Sequence, residues 1–275
     1  MTTIDRDVAA HYRHGSLEQA LVAALAAMGK DPDRLVPADL MGADEFHIGG
    51  AQATKDLAAQ LALTPAMHLL DLGSGLGAPA RTLATLHGCR VTGIDLSDEY
   101  VAVATSLTRR MGLADRVAFR CGSAMALPFD AAAFDGVTLL HVGMNIADKR
   151  ALCAGVHRVL RPGGFFAIYD VMRTGPGALD FPVPWSSGAE TSFLEPPETY
   201  RAALTAAGFS IIAERSRAAF AREVFAAQRA RQAVSGPPPL GVQIVMGPQA
   251  AQKVANLIGL LDRGVIAPME MIARS

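Results

Sequence analysis

The sequence predicts an α/β fold, a doubly wound parallel sheet with helices on both faces, and three observations predict it. From Met67 to Phe209, short apolar runs bounded by turn residues alternate with amphipathic helical stretches, as parallel strands and their crossover helices do. The first run, Met67–Leu72, leads into Gly73-Ser74-Gly75-Leu76-Gly77, with a glycine at every other position, and then into a good helix former from Ala78 to Leu86. The next run, Val91–Asp95, ends in an acid eighteen residues past Gly77.

In chain order, residues 1–65 read as a helical cap ahead of the sheet. Ser16 and Gln19 form a capping-box pattern, and Leu17, Leu21, Leu25 and Met28 make one apolar stripe ended by Gly29. Asp31-Pro32-Asp33 and Val36-Pro37 break the chain. Phe46-His47-Ile48-Gly49-Gly50, an apolar-aromatic segment at a Gly-Gly hinge, suits a lid and is followed by a helix to about Leu61. The core spans residues 66–215. Its first strand is followed by Val91–Asp95, a helix from Asp98 to about Met111 capped by Ser97, and strands at Val117–Arg120 and Phe134–Leu140. A helix over Lys149–Leu160 then ends at Arg161-Pro162-Gly163-Gly164, a strand follows at Phe165–Val171, a helix opens at Pro197, and a strand runs from Phe209 to Ala213. Residues 216–264 hold two helical stretches split by Ser235-Gly236-Pro237-Pro238-Pro239, and residues 265–275 contain a late apolar run, Pro268–Ala273.

In open α/β sheets ligands sit beyond the carboxyl ends of the strands, at the switch point. There the glycines permit a sharp turn and a close ligand approach, and the following helix aims free N–H groups over the loop. Gly73, Gly75 and Ala78 also satisfy a relaxed dinucleotide fingerprint. Asp71, two residues ahead of Gly73, would repel a pyrophosphate and welcome an ammonium, whereas Asp95 suits the ribose of either ligand.

Together with Arg120–Phe129, Phe134-Asp135-Gly136-Val137 and Arg161-Pro162-Gly163-Gly164, in that order and spacing, the chain resembles the class I S-adenosylmethionine-dependent methyltransferases over roughly residues 46–209. The resemblance implies a Rossmann-like sheet of seven strands whose last, the Pro268–Ala273 run, is antiparallel, with residues 216–264 as a helical cap inserted before it. It implies S-adenosylmethionine as cofactor, with Asp71, Gly73, Ser74 and Gly75 around the methionine part, Asp95, Leu96 and Tyr100 around the ribose, and Gly122, Ser123 and Ala124 bordering the adenine. His141 would stand beside the sulfonium, and His141 and His47 are the candidates for acid–base work. Met144, Asn145 and Trp185, with His47, would meet the acceptor. The segments around His47, His141 and Phe181–Trp185 look like the sarcosine and dimethylglycine N-methyltransferase branch. The expected reaction is therefore methyl transfer to a small molecule at an amine nitrogen, with O- or C-methylation of a hydroxyl, quinone or lipid-like acceptor as the alternative and RNA methylation behind both.

Bulk properties narrow the classes further. Of 275 residues 51% are hydrophobic, yet no apolar run approaches the roughly 20 needed to cross a membrane. The start, Met1-Thr2-Thr3-Ile4-Asp5-Arg6, lacks signal-peptide order, so the cytoplasm is expected. A net charge of −1 gives no global field for nucleic acid, and the row Arg215, Arg217, Arg222, Arg229 and Arg231 reads as a solvated face. Cys89, Cys121 and Cys153 contain no C-x-x-C pair, and no metal site is expected.

Overall fold

The computed structural model of the chain describes every residue except 1, 14, 41 and 237. Among the described residues one sheet of seven strands forms the frame: β1 (His68–Leu72), β2 (Arg90–Asp95), β3 (Val117–Cys121), β4 (Phe134–Leu140), β5 (Leu160–Arg173), β6 (Ser210–Ser216) and β7 (Ile266–Arg274). Their order is β3-β2-β1-β4-β5-β7-β6. β1 to β5 pair in parallel, and β7 runs antiparallel to both neighbours, Phe165 facing Arg274 and Arg173 facing Ile266. The order reverses between β1 and β4, which opens a crevice at their carboxyl ends.

The helices are α1 (Thr3–His11), α2 (Leu17–Ala27), α3 (Gly50–Ala58), α4 (Ala78–His87), α5 (Asp98–Arg110), α6 (Lys149–Val159), α7 (Pro197–Ala206), α8 (Ala218–Ser235), α9 (Gln243–Met246) and α10 (Ala250–Asp262). The period of two along each strand sends alternate side chains to opposite faces. Leu69, Phe165, Ala167 and Tyr169 pack with Leu57 of α3 and Leu83 of α4, while Leu70, Leu72, Phe166 and Ile168 pack with Val156 of α6 and Leu204 of α7. Both faces are buried, so these strands read as unbroken apolar runs rather than alternating ones. Each leucine so buried stabilises the fold by about 1.5–3 kcal/mol. The strand is lost as a core element if one of these positions takes a charge.

Several local expectations change. Ser16 makes no side-chain cap; the first amide of α2, on Leu17, donates instead to Glu99 on α5 at 3.1 Å. The capping box belongs to Thr2 and Asp5, which start α1. A distant carboxylate thus holds the start of α2 through its first amide, and the Gln19 amide that a Ser16 cap would bind gets no side-chain cap. Ser97 does cap α5, accepting the Tyr100 amide at 3.2 Å. β5 begins at Leu160, opposite Phe134, and Arg161–Gly164 form an irregular arch within it, with Gly163 at φ 76°. The 216–264 segment holds three helices rather than two, because a short α9 follows the proline break, whose Pro237 lies outside the described residues. Arg215 and Arg217 clasp the buried Glu270, Arg217 also reaches Asp56, and Arg222 donates to Leu261 O. Three of the five arginines in the row therefore serve internal contacts. No helix among the described residues is long and apolar enough to cross a membrane.

Candidate active site

A cavity of about 300 Å³ sits over the switch point. Its floor is built from strand ends and the loops that follow them: Gly73–Leu76 after β1, Asp95–Ser97 after β2, Gly122–Met125 after β3 and His141–Val142 after β4. The glycine loop is fixed in place. Gly73 (φ 65°) lies under Val142, where an added Cβ would stand 2.3 Å from a Val142 methyl, whereas Gly75 (φ 52°) has open space above it. Arg81, 1% exposed, donates to Leu76 O at 2.8 Å and Thr108 Oγ1 at 3.2 Å, and pairs with Asp44 at 2.9 Å. Asp95 accepts the Gly75 amide on Oδ2 and the Ser97 amide on Oδ1, each at 2.9 Å. A carboxylate has about four lone-pair positions, so two remain for a ligand.

The roof comes from segments outside the sheet. Ile4, Val8 and Ala9 of α1 line the cavity with Tyr12, Asp44, Phe46 and His47, and Val245 of α9 closes one side. Asn145 holds this roof down. Its amide nitrogen donates to Trp185 O and Thr191 O, both at 2.9 Å, and its oxygen accepts the Tyr12 hydroxyl at 3.2 Å. The two carbonyls fix which end of the amide is which. His11 donates from Nε2 to Pro184 O at 3.1 Å, tying α1 to the loop after β5.

The two histidines that line the cavity differ in how they are held. His141 is left-handed at φ 55°, a strain worth about 1–3 kcal/mol for a residue of this kind. Its amide donates to Tyr169 O at 2.7 Å, its Nδ1 lies 3.1 Å from the same carbonyl, and its Nε2 accepts the Ile48 amide at 3.3 Å. A carbonyl only accepts, so Nδ1 carries the proton and both ring nitrogens are engaged. The Tyr169 hydroxyl donates to Ile48 O at 2.9 Å, so both backbone polar groups of Ile48 are latched to the sheet. His47 is held through Nε2, which lies 3.1 Å from Gly50 O, 3.1 Å from Thr54 Oγ1 and 3.2 Å from Glu45 Oε2. Burial lowers the pKa of both, to about 4 at His47 and about 3 at His141, where the neighbouring His47 adds to the effect. Both rings are neutral at pH 7.

The floor residues singled out in the sequence converge: Gly73, Ser74, Gly75, Asp95, Leu96, Tyr100, Gly122, Ser123, Ala124 and His141 all line the cavity, as do His47 and Asn145. Three do not. Asp71 lies beneath the loop, 2% exposed, its Oδ1 accepting the Thr138 hydroxyl at 2.8 Å. Met144 and Trp185 turn away into a cluster with Val183, Val171 and Leu260, and the Trp185 indole donates to Ser192 at 2.9 Å. Tyr12, the α1 residues, Asp44 and Val245 escaped sequence reading. A Thr-x-x-Asp start signal did mark α1, but nothing local told where that helix would dock.

The residues fit the cofactor that the resemblance implies. Asp71 Oδ2 and Ser74 Oγ are buried without a hydrogen-bond partner, and burial raises Asp71 to about 7. Such groups cost free energy unless a ligand satisfies them. Ser74 and Asp95, with the open space over Gly75, offer polar groups to an ammonium and a diol on a floor where an aminoacyl nucleoside can lie, with the Asp71 carboxyl beneath it. Ser123 Oγ already accepts the Met125 amide at 3.1 Å, leaving its proton for an adenine nitrogen.

Comparisons with known proteins agree with this frame. Residues 70–168 match the family described as "Methyltransferase domain". The chain is 33% identical over 170 residues to the O-methyltransferase cnsE of Penicillium expansum, covering 60% of each chain. In structure it is similar to a geranyl diphosphate methyltransferase solved with geranyl diphosphate and sinefungin (TM-score 0.72, 18% identity, 99% of each chain). It is also similar to a putative sarcosine dimethylglycine methyltransferase from Galdieria sulphuraria (TM-score 0.62, 20% identity, 82% of this chain and 85% of that one). These two likenesses establish the fold. The chain spans 35% and 60% of the length of the first curated relatives it matches.

Proposed function

With a class I S-adenosylmethionine-dependent methyltransferase domain at residues 70–168, this chain is, we propose, an enzyme that methylates a small, mainly apolar acceptor that is neutral or cationic. The carrying observation is the charge of the cavity wall. Asp5, Asp95 and Asp148 line it, together with Asp44, whose charge Arg81 behind it already offsets, and no lysine or arginine lines it among the described residues. Burying an anionic acceptor against carboxylates without a cation would cost several kcal/mol. A diphosphate without a bound cation is therefore disfavoured, whereas an amine on an apolar body meets both the acids and the walls of Ile4, Val8, Phe46 and Val245.

S-adenosylmethionine supplies the electrophilic methyl group. The chain's own part is positioning and dryness. The glycine loop and Asp95 hold the cofactor on the floor, and the roof confines the acceptor above it; well-oriented reactants are worth up to about 7–11 kcal/mol. The Ile48 latch keeps water from the mouth. An amine nitrogen is the leading reading of the acceptor atom, for the charge reason above. A hydroxyl is the second, supported by the likeness to an O-methyltransferase and by a histidine nitrogen left free in the cavity wall. The sarcosine-like branch is not needed for either reading.

The test is a methyl-transfer assay reading S-adenosylhomocysteine formation with 2-phenylethylamine, tyramine and geranyl diphosphate. Turnover of either amine with none of the diphosphate is expected. Turnover of the diphosphate alone would overturn the charge argument, and titration calorimetry detecting no S-adenosylhomocysteine binding would overturn the enzyme reading.

A further inference from the structure

The two histidines that line the cavity are in opposite tautomers, and only one has a lone pair to offer. The Gly50 carbonyl 3.1 Å from His47 Nε2 can only accept a hydrogen bond. The Thr54 hydroxyl, also 3.1 Å from Nε2, gives its own proton to Glu45 Oε2 at 2.9 Å, so it too accepts from the ring. Glu45 Oε2 lies 3.2 Å from the same nitrogen. Three acceptors around Nε2 require that Nε2 carry the proton. Nδ1 is then the bare nitrogen; it has no hydrogen-bond partner among the described residues, and His47 lines the cavity. His141, by contrast, spends Nδ1 on Tyr169 O and Nε2 on the Ile48 amide.

We propose that His47 Nδ1 takes the proton that the acceptor loses on methylation, and that Glu45, with Thr54, is the positioning residue that fixes the ring for it. This rests on the methyltransferase reading given above. The balance is simple for an amine or a hydroxyl. A bond forms from the acceptor atom to the methyl carbon as the methyl–sulfur bond of the donor breaks and its electron pair leaves with S-adenosylhomocysteine; the N–H or O–H bond breaks, and its electron pair stays on the acceptor atom. The proton passes to Nδ1, and the imidazolium so formed is stabilised through Nε2–H by the Glu45 carboxylate before it releases the proton to water. His141 serves the latch instead.

The surroundings of the ring agree with this assignment. Glu45 faces His47 from its own segment, Thr54 from α3, His141 from the end of β4 (ring centroids 5.9 Å apart) and Tyr169 from β5 (6.0 Å). Beyond Glu45 stand Asp44 and Arg81, already paired with each other. Glu45 is the one carboxylate against the ring among the described residues. Thr82 also donates to it, at 3.3 Å, which fixes its second oxygen. Burial lowers His47 to about 4, so the ring is neutral at pH 7 and the imidazolium depends on the charge of Glu45, which burial raises to about 6.

The deciding measurement needs no acceptor. Long-range nitrogen–proton spectra of the full-length protein with S-adenosylhomocysteine should show His47 protonated at Nε2 and bare at Nδ1, and His141 the reverse. Finding His47 protonated at Nδ1, or both rings in one tautomer, overturns the proposal whether or not the protein is an active enzyme. Glu45→Gln should leave His141 unchanged and shift the His47 Nε2–H signal at neutral pH, because an ionised oxygen facing that proton is replaced by an amide. An unmoved His47 Nε2–H signal would sink the role given to Glu45. With whichever of tyramine and 2-phenylethylamine is turned over, His47→Gln should lower kcat by about 10²–10⁴-fold at constant S-adenosylhomocysteine affinity. Glu45→Gln should lower kcat while acceptor KM stays within a few-fold. Wild-type kcat in His47→Gln would overturn the proton transfer. If neither amine reacts while the tautomers are as stated, the function proposed above fails and the assignment of the bare nitrogen stands.

Discussion

The floor and the roof of the cavity are made in different ways. The floor is main chain: glycine α-carbons, amides held by Asp95, and strand ends fixed by four parallel pairings. The roof is side chain: Tyr12 on Asn145, Phe46 edge-on to Tyr12 at 6.3 Å, and Val245 from a short helix far along the chain. A floor of backbone binds a ligand that does not vary; a roof of side chains can be fitted to one that does. The lesson is that cofactor and acceptor recognition are separable here, and the substitutions that follow should separate them.

The largest effect should come from Gly73→Ala. A Cβ 2.3 Å from Val142, on a backbone at φ 65°, combines overpacking with strain, together about 2–5 kcal/mol of stability. Chemical denaturation reads this directly, and Gly75→Ala is the contrast. With nothing near its Cβ, Gly75→Ala should cost about 1 kcal/mol of stability, from strain alone, yet weaken cofactor binding more, because the methyl enters the cavity. Equal loss of stability in the two variants would contradict the division of roles within the loop.

Next is Asp95→Ala, which removes the acceptor of two amides and the proposed diol contacts. A charged hydrogen bond lost in this way costs about 1.5–3 kcal/mol, or about 10- to 150-fold in affinity. Calorimetry with S-adenosylhomocysteine should show that drop. Unchanged affinity would mean that the ribose lies elsewhere.

A smaller change tests the roof. Tyr12→Phe removes one hydrogen bond to Asn145, worth about 0.5–1.5 kcal/mol. Acceptor KM should rise several-fold while cofactor affinity stays put. If cofactor affinity falls by the same factor, roof and floor are not independent.

The smallest effect is a pH dependence of the unliganded protein. Burial raises Asp71 and Asp170 to about 7, above the value near about 3.9 expected in the unfolded chain. The native state therefore keeps protons that the unfolded chain has lost. Their contribution is fully present below about pH 4 and is lost as pH rises toward 7. His47 and His141, lowered to about 4 and 3, act in the opposite sense and cost stability as pH falls below about 6.5. Between pH 6.5 and 8 only the carboxyl groups of this set still matter, so Tm should fall with rising pH. Asp71→Asn should flatten that slope and raise stability at pH 8 by about 1 kcal/mol. A steeper slope in the variant would contradict the assignment of an ionising, unsatisfied carboxyl beneath the loop.

How much of this was legible in the sequence follows the same division. The strands, the glycine loop and Asp95 announce themselves because their signals are local: an apolar run, a turn residue, an acid at a strand end. Even the antiparallel last strand and the 216–264 insertion could be placed. The roof was only partly legible. Phe46–Gly50 stood out through its aromatic next to a Gly-Gly hinge, but Tyr12 and Val245 look like any other apolar residues until the chain is folded. Ser16 misled because the Leu17 amide found Glu99, 82 positions away. Trp185 misled because a rigid proline-rich loop suits a pocket wall and a packed core equally well. The state of a histidine cannot be read from sequence at all; it is decided by carbonyls such as those of Gly50 and Tyr169.

The latch at Ile48 has a consequence for how such a site changes over generations. Both of its bonds to the sheet, from Tyr169 and to His141, are made by the amide and carbonyl of residue 48, not by its side chain. Substitution there, or along α1, can redraw the space above the cofactor without dismantling the closure. The lineage can thus inherit a working seal and a constant methyl donor while trading one acceptor for another, and an engineer who randomises Ile4, Val8, Phe46 and Val245 starts with the same freedom.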